Sequence, residues 1–213
     1  MTEEYLREAA RILASLHFDA GLPWRTHRTP YRVFLAEFLL VHTRWDVVAA
    51  RFEEVFRRYP DLISLAEADP VELAEVLKPF GLTAWRPRAL KEAAAYLVEH
   101  HGGNVPETVE ELGEIPGLGP YLSAAIAAFA YHAEIVPPDR NVFRFLAWFT
   151  GLPRGKNRKG TSELRRLLPL LSPEQGGPPA AVLIDFLRLI CLPRRPRHEA
   201  CPLRHLCRQE TSL

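Results

Sequence analysis

Three groups of residues in this 213-residue chain have types and spacings suited to chemistry. The first is the run Ile115-Pro116-Gly117-Leu118-Gly119-Pro120-Tyr121, which reads as a tight hairpin opening a helix, with Pro120 suited to a first helical position. Glycines ahead of a helix N-terminus leave N–H groups facing outward, an arrangement that holds phosphate or another anion. The same run also fits a helix corner with no ligand. The second is Asp139, which follows Pro137-Pro138 and precedes the amphipathic run Val142, Phe143, Phe145, Leu146 and Phe149. Its plain role is a helix N-cap, worth about 1 kcal/mol. A carboxylate pinned there, near an anion-gripping hairpin, is also able to offset a developing positive charge. The third is Cys191-x6-His198-x2-Cys201-x5-Cys207, which holds all three cysteines of the chain. Closely spaced cysteines near the end of a chain without a secretory signal point to a metal rather than to disulfides. Cys3His is an ordinary structural zinc set, and a loop with no metal is the other reading. One further acid stands out. Glu37 is the lone charge in the apolar run from Val33 to Val41. The helical pattern alone turns it to solvent; if buried, it would have a raised pKa and be usable as a general acid.

The elements that must position these residues are helices. Apolar spacing predicts helices over Glu3–Leu16, Tyr31–Val41, Arg44–Tyr59, Asp61–Glu67, Pro70–Leu77 and Pro87–His100. Val105-Pro106-Glu107 is expected to open the first helix of the hairpin, ending at Leu112–Gly113, and later helices fit Ser162–Leu171 and Pro179–Cys191. Small residues Ala124, Ala125, Ala127 and Ala128 let another backbone approach the helix after the hairpin closely. No strand pattern, internal repeat or low-complexity tract is present, so the expected architecture is all-α. At 47% hydrophobic residues the chain has ample core. No run is long enough to span a membrane and the start, Met1-Thr2-Glu3-Glu4, lacks a signal-peptide pattern, so a soluble cytoplasmic protein is expected, without a membrane partner. The net charge of +1 hides an uneven distribution: residues 140–213 hold fourteen Lys/Arg against five Asp/Glu, a net of +9, and residues 1–139 carry −8. A basic portion of this kind suits a polyanion. Part of it is the loop Arg154-Gly155-Lys156-Asn157-Arg158-Lys159-Gly160, which reads as mobile.

Ile115–Gly119 together with Asp139 resembles the helix-hairpin-helix, Gly/Pro…Asp (HhH-GPD) superfamily of DNA glycosylases, which includes endonuclease III and the adenine and thymine mismatch glycosylases. Further stretches extend the resemblance over most of the chain. Leu22-Pro-Trp-Arg25, Thr29-Pro-Tyr31 and Ala36-Glu37-Phe38…Thr43 look like the segment that carries the catalytic glutamate of the mismatch glycosylases, which reverses the solvent-facing reading of Glu37. Gly81-Leu82-Thr-Ala-Trp85-Arg86 is similar to the segment beside the lesion pocket, which implies that Trp85 and Arg86 touch DNA. The family's iron–sulfur loop is Cys-x6-Cys-x2-Cys-x5-Cys; here His198 stands in the second place, and imidazole is able to ligate such clusters. The resemblance therefore implies a 4Fe–4S cluster on Cys191, His198, Cys201 and Cys207, with zinc the alternative. It also implies a monovalent cation at the hairpin, and DNA contacts from Pro116, Gly117, Gly119, Asn141, Arg194, Arg195 and Arg197.

The resemblance further implies two helical domains, residues 22–133 and residues 1–21 with 134–213. In the strand-cleaving branch a lysine follows the hairpin and forms a Schiff base. Tyr121 stands at that position, and the four lysines, Lys78, Lys91, Lys156 and Lys159, are all distant in sequence from it. The implied reaction is hydrolysis of the N-glycosidic bond of a flipped base, with Asp139, Glu37 and Tyr121 as the catalytic group and no lyase step. The adenine branch carries Gln-Gln before the threonine, where this chain has Val41-His42, and a further C-terminal domain, whereas this chain stops soon after the cysteine loop. Thymine or uracil opposite guanine is therefore the expected target in duplex DNA, acted on by a nucleoid-associated monomer. Removal of adenine opposite 8-oxoguanine, or DNA binding without catalysis, are the alternatives.

Overall fold

The computed structural model describes residues 2–18, 21–153 and 161–207. The basic loop at residues 154–160 lies outside them. The described residues form helices joined by turns, with no strand among them, and the chain divides into two compact units: residues 21–131, and residues 1–20 with 132–213.

The first helix, α1 (Thr2–Ala14), belongs to the second of these units. The 21–131 unit opens with α2 (Pro23–Thr26) and α3 (Pro30–Leu40). Helix α3 starts where it does because the Thr29 side chain accepts the Arg32 N–H at 3.2 Å and Pro30 needs no partner for its nitrogen. Then follow α4 (Trp45–Arg58), α5 (Leu62–Ala66) and α6 (Pro70–Leu77). A capping box between Asp61 and Ser64 opens α5, and Asp69 caps α6 by accepting from Val71 and Glu72, both at 2.9 Å. The long α7 (Arg86–His101) ends on Gly102 at φ 58, a left-handed conformation that glycine adopts without penalty.

Helices α8 (Val109–Glu114) and α9 (Pro120–Ala130) make the hairpin. Helix α8 starts later than the sequence pattern implies. Val105 is held back from it because a residue before proline avoids helical geometry, and its carbonyl accepts the Tyr131 hydroxyl. The true cap is Thr108, whose oxygen takes the Glu111 N–H at 3.2 Å. The core of this unit is largely aromatic: Phe34 and Phe38 lie 5.0 Å apart and Trp24 and Phe52 5.5 Å apart. Arg32, almost fully buried, lies 4.3 Å over the Phe56 ring, pairs with Glu53 and donates to the Pro23 carbonyl at 3.0 Å, tying α2, α3 and α4 together.

In the other unit, α10 (Arg140–Thr150) is followed by α11 (Ser162–Leu167) and α12 (Ala180–Leu189). The α-helical run from Ser162 stops at Leu167 and continues as a 3-10 turn over Leu168–Leu171, because Pro169 has no N–H for the helical ladder. The core joins Leu6, Ala9 and Leu13 of α1 to Phe143, Leu146 and Phe186. Short 3-10 turns at His198–Ala200 and Arg204–Leu206 carry the chain to Cys207.

Candidate active site and metal loop

Glu37 is buried, 3% exposed, and sits near the middle of α3. The Tyr121 hydroxyl, one residue into α9 from Pro120, donates to Glu37 Oε2 at 3.3 Å. The lone charge of the apolar run is thus turned into the 21–131 unit and held by the residue that follows the hairpin. The hairpin itself needs Gly117, at φ 83, and a Cβ there would meet Ala89 of α7 at 3.4 Å. A Cβ on Gly119 would meet nothing within 4 Å, so the face before α9 is open. No side chain caps α9, so the N–H groups of its first turn, which have no acceptor within the helix, line that open face. Pro116, Gly117 and Gly119 are all exposed.

Arg86 corrects the sequence reading. It is 0% exposed and touches no solvent, so it is not a DNA contact. Its guanidinium donates to the carbonyls of Phe38, Val41 (2.7 Å), Phe80 (2.9 Å) and Gly81 (3.2 Å), and to Thr43 Oγ1 at 2.9 Å. Burial pushes its pKa down to about 10, which still leaves it charged at neutral pH. These bonds fasten the C-terminal end of the Glu37 helix to the turn before α7. That turn holds a residue the sequence reading passed over: Leu82, at φ 51, is 40% exposed. A bulky residue in left-handed backbone with its side chain in water is strained, and such apolar side chains are able to wedge between stacked bases. Trp85 is 36% exposed and stacks on Phe38 at 6.3 Å.

In the other unit Asp139 caps α10, its Oδ1 accepting the N–H of Asn141. Burial lifts the Asp139 carboxyl above its ordinary range, while the N–H groups of Asn141 and Val142 and the Arg144 charge pull it back. Arg144, missed in the sequence reading, is 3% exposed and links two features. One nitrogen donates to Asn141 Oδ1, beside Asp139, and another to the carbonyls of Cys191 and Leu187, the latter at 3.4 Å. The signal was present: like Glu37, Arg144 is one charge inside an apolar helical run.

Cys191, His198, Cys201 and Cys207 line one cavity with apolar walls that include Trp148 and Phe186. None of the three cysteines is in a disulfide, and burial pushes the Cys191 thiol up to about 11. Among the described residues no group of three or more His, Cys, Asp or Glu is gathered as a single ion requires. Three thiols and an imidazole lining one cavity with apolar walls are a donor set that fits an iron–sulfur cluster. Arg194, Arg195 and Arg197 are exposed on the same loop.

Fold and site together define a class: a helical protein with a glycine hairpin before a helix, a helix-capping aspartate at the start of the next helix and a cysteine loop with a metal-ligating donor set. The chain belongs to the HhH-GPD superfamily of base excision DNA repair proteins, whose family model matches residues 35–170. The iron–sulfur binding domain of endonuclease III matches residues 191–207. The chain is 33% identical to a thymine-DNA glycosylase of Aeropyrum pernix over 89% of its length and 86% of that protein. It is 30% identical to a thymine/uracil-DNA glycosylase of Methanothermobacter thermautotrophicus over 87% of its length and 84% of that protein. A solved structure of a thermostable thymine-DNA glycosylase superposes with a TM-score of 0.83 at 25% identity, covering 100% of this chain and 98% of that one. The chain is a DNA glycosylase, and its cysteine loop carries a 4Fe–4S cluster. No helix among the described residues is long and apolar enough to cross a membrane.

Proposed function

We propose that this chain hydrolyses the N-glycosidic bond of thymine or uracil opposite guanine, leaving an abasic site in an intact strand. The observation that carries this reading is the buried Glu37 held by the hydroxyl of Tyr121, at the position where a Schiff-base lysine would stand. A phenol has no amine nitrogen and so forms no imine, and water is the nucleophile. The similarity to proteins named thymine-DNA and thymine/uracil-DNA glycosylases agrees with it.

The target nucleotide leaves the stack at a cost of a few kcal/mol, least for a mispair. The ionised Asp139 offsets the positive charge that builds on the sugar as the bond breaks. Glu37, kept in its buried setting by Tyr121, delivers a proton to the departing base or directs the water. Asn141 holds Asp139 in place and contacts a phosphate nearby. Pro116, Gly117 and Gly119 grip the backbone through the N–H groups of the hairpin, with a monovalent cation at its carbonyls, and Arg194, Arg195 and Arg197 bind phosphates further along the duplex. The cluster, when bound, ties Cys191, Cys201 and Cys207 together and so holds those arginines in register. The two compact units are the two domains of this enzyme, which works as a monomer on chromosomal DNA in the cytoplasm.

The test is single-turnover excision on duplexes carrying G·T, G·U, 8-oxoguanine·A or an oxidised pyrimidine, each assayed with and without alkali. G·T and G·U should react, with strand scission only after alkali and no adduct trapped by borohydride. Excision confined to adenine, or borohydride trapping of the unaltered enzyme, overturns the reading.

A further inference from the structure

We infer that the imidazole of His198 is the fourth ligand of the cluster, so that it is held by three thiolates and one neutral nitrogen. The match to the iron–sulfur binding domain of endonuclease III covers residues 191–207, and the only cysteines there are Cys191, Cys201 and Cys207, with six residues between Cys191 and His198 and two between His198 and Cys201. The histidine is also where a ligand must be. It opens the 3-10 turn His198–Ala200, its carbonyl accepts the Cys201 N–H at 3.1 Å, and its side chain lines the same cavity as Cys191, Cys201 and Cys207. The remaining walls are apolar, among them Pro196, Trp148 and Phe186, so an imidazole pointing there has the metal as its natural partner.

Charge favours this ligand set. A 4Fe–4S core of charge +2 carries −2 with four thiolates and −1 with three thiolates and an imidazole. The guanidinium of Arg144, almost fully buried and bonded to the Cys191 carbonyl, supplies a single positive charge beside it. Against apolar walls the smaller charge of the −1 cluster, beside this cation, costs less to bury. Two properties follow. Replacing a thiolate by a neutral donor stabilises the reduced form, so the potential lies above that of an all-cysteine cluster in the same loop. The iron bound by His198 has the weakest hold on the protein and is the first to leave on oxidation.

The test uses the holoprotein purified anaerobically. Histidine labelled with 15N is incorporated, the cluster is poised in a paramagnetic state, and nitrogen coupling is read by electron–nuclear double resonance. The expected result is a directly coordinated nitrogen whose signal changes with the isotope. No coordinated nitrogen, or stoichiometric zinc in place of iron, overturns the inference. In His198→Cys the coupling should vanish while four irons are retained, and the potential measured by voltammetry should fall. An unchanged potential in a fully loaded variant also overturns it. If His198→Cys does not fold, the labelled unaltered protein decides alone.

Discussion

Asp139 serves two ends that conflict. As the cap of α10 it is a good structural residue, and as a buried carboxylate it is a costly one. Because burial raises its pKa, the folded protein binds this proton at pH values where the unfolded chain has released it. Stability from this group therefore falls as pH rises from the ordinary aspartate value of about 3.9 through the folded-state value, and the ionised form lowers the stability of the fold above that window. Catalysis needs that same ionised form, so excision should decline on acidification with an apparent pKa above the ordinary aspartate value. Asp139→Asn keeps the capping oxygen and loses the charge. Its excision rate should drop about 100- to 1000-fold, since contacts that offset developing charge are worth ~3–4 kcal/mol. Its melting temperature should rise, and its residual rate should show no acid limb. Glu37→Gln should cripple excision in the same single-turnover assay while duplex affinity, assigned in the proposed mechanism to the hairpin and the basic C-terminal part, stays within a few-fold. Full activity in either variant would remove that acid from the mechanism.

At the scale of elements, two arginines position the two acids. Arg86 binds the end of α3 to the turn before α7, donating to the carbonyls of Phe38, Val41, Phe80 and Gly81, of which Val41 and Phe80 also accept from the Thr43 hydroxyl. Arg86→Leu leaves these acceptors without that donor, and each buried acceptor left unmet costs about 1–3 kcal/mol. Denaturant unfolding should show a loss of about 3 kcal/mol or more, far beyond that of a surface arginine such as Arg88. A variant of unaltered stability and weakened DNA affinity would return Arg86 to the DNA-binding set. Arg144 plays the corresponding part for Asp139, joining Asn141 at the start of α10 to the Cys191 carbonyl just after α12. The cap that orients the aspartate and the first cysteine of the cluster loop thus share one guanidinium.

At the scale of the whole molecule, the proposed mechanism links binding to the cluster through Arg194, Arg195 and Arg197 of the cysteine loop. Arg194 and Arg195 are exposed, so each phosphate contact they make releases a counterion. Arg194→Ala and Arg195→Ala should each flatten the slope of log affinity against log salt by about 0.9, equally for mismatched and matched duplexes. An unchanged slope would take these residues off the DNA. Removing the iron with a chelator frees cysteines that nothing else crosslinks. The unit of residues 1–20 and 132–213 should then melt at lower temperature and the protein should lose DNA affinity, both restored on reconstitution. Retention of both in the iron-free protein would show that the loop holds its shape unaided.

Much of this protein was legible in its sequence because the signals were local. A proline at the first position of α3, α6 and α9, capping oxygens at Thr29, Asp61, Asp69 and Asp139, and apolar residues at helical spacing specify most helices within a few residues. The hairpin and the cysteine spacing are equally local, since each is a short segment whose ligand-holding geometry depends on few neighbours. Tertiary structure decided what local signals leave ambiguous. A charge in an apolar helix is either on a solvent stripe or inside, and only packing put Glu37 beneath Tyr121 and Arg144 against the cysteine loop. The same ambiguity misplaced Arg86, which reads as a surface cation at a helix start and is in fact enclosed by carbonyls from residues up to 48 positions away. Burial is a property of what the rest of the chain brings to a residue, and pairings over that distance leave no periodicity in the sequence by which to read them.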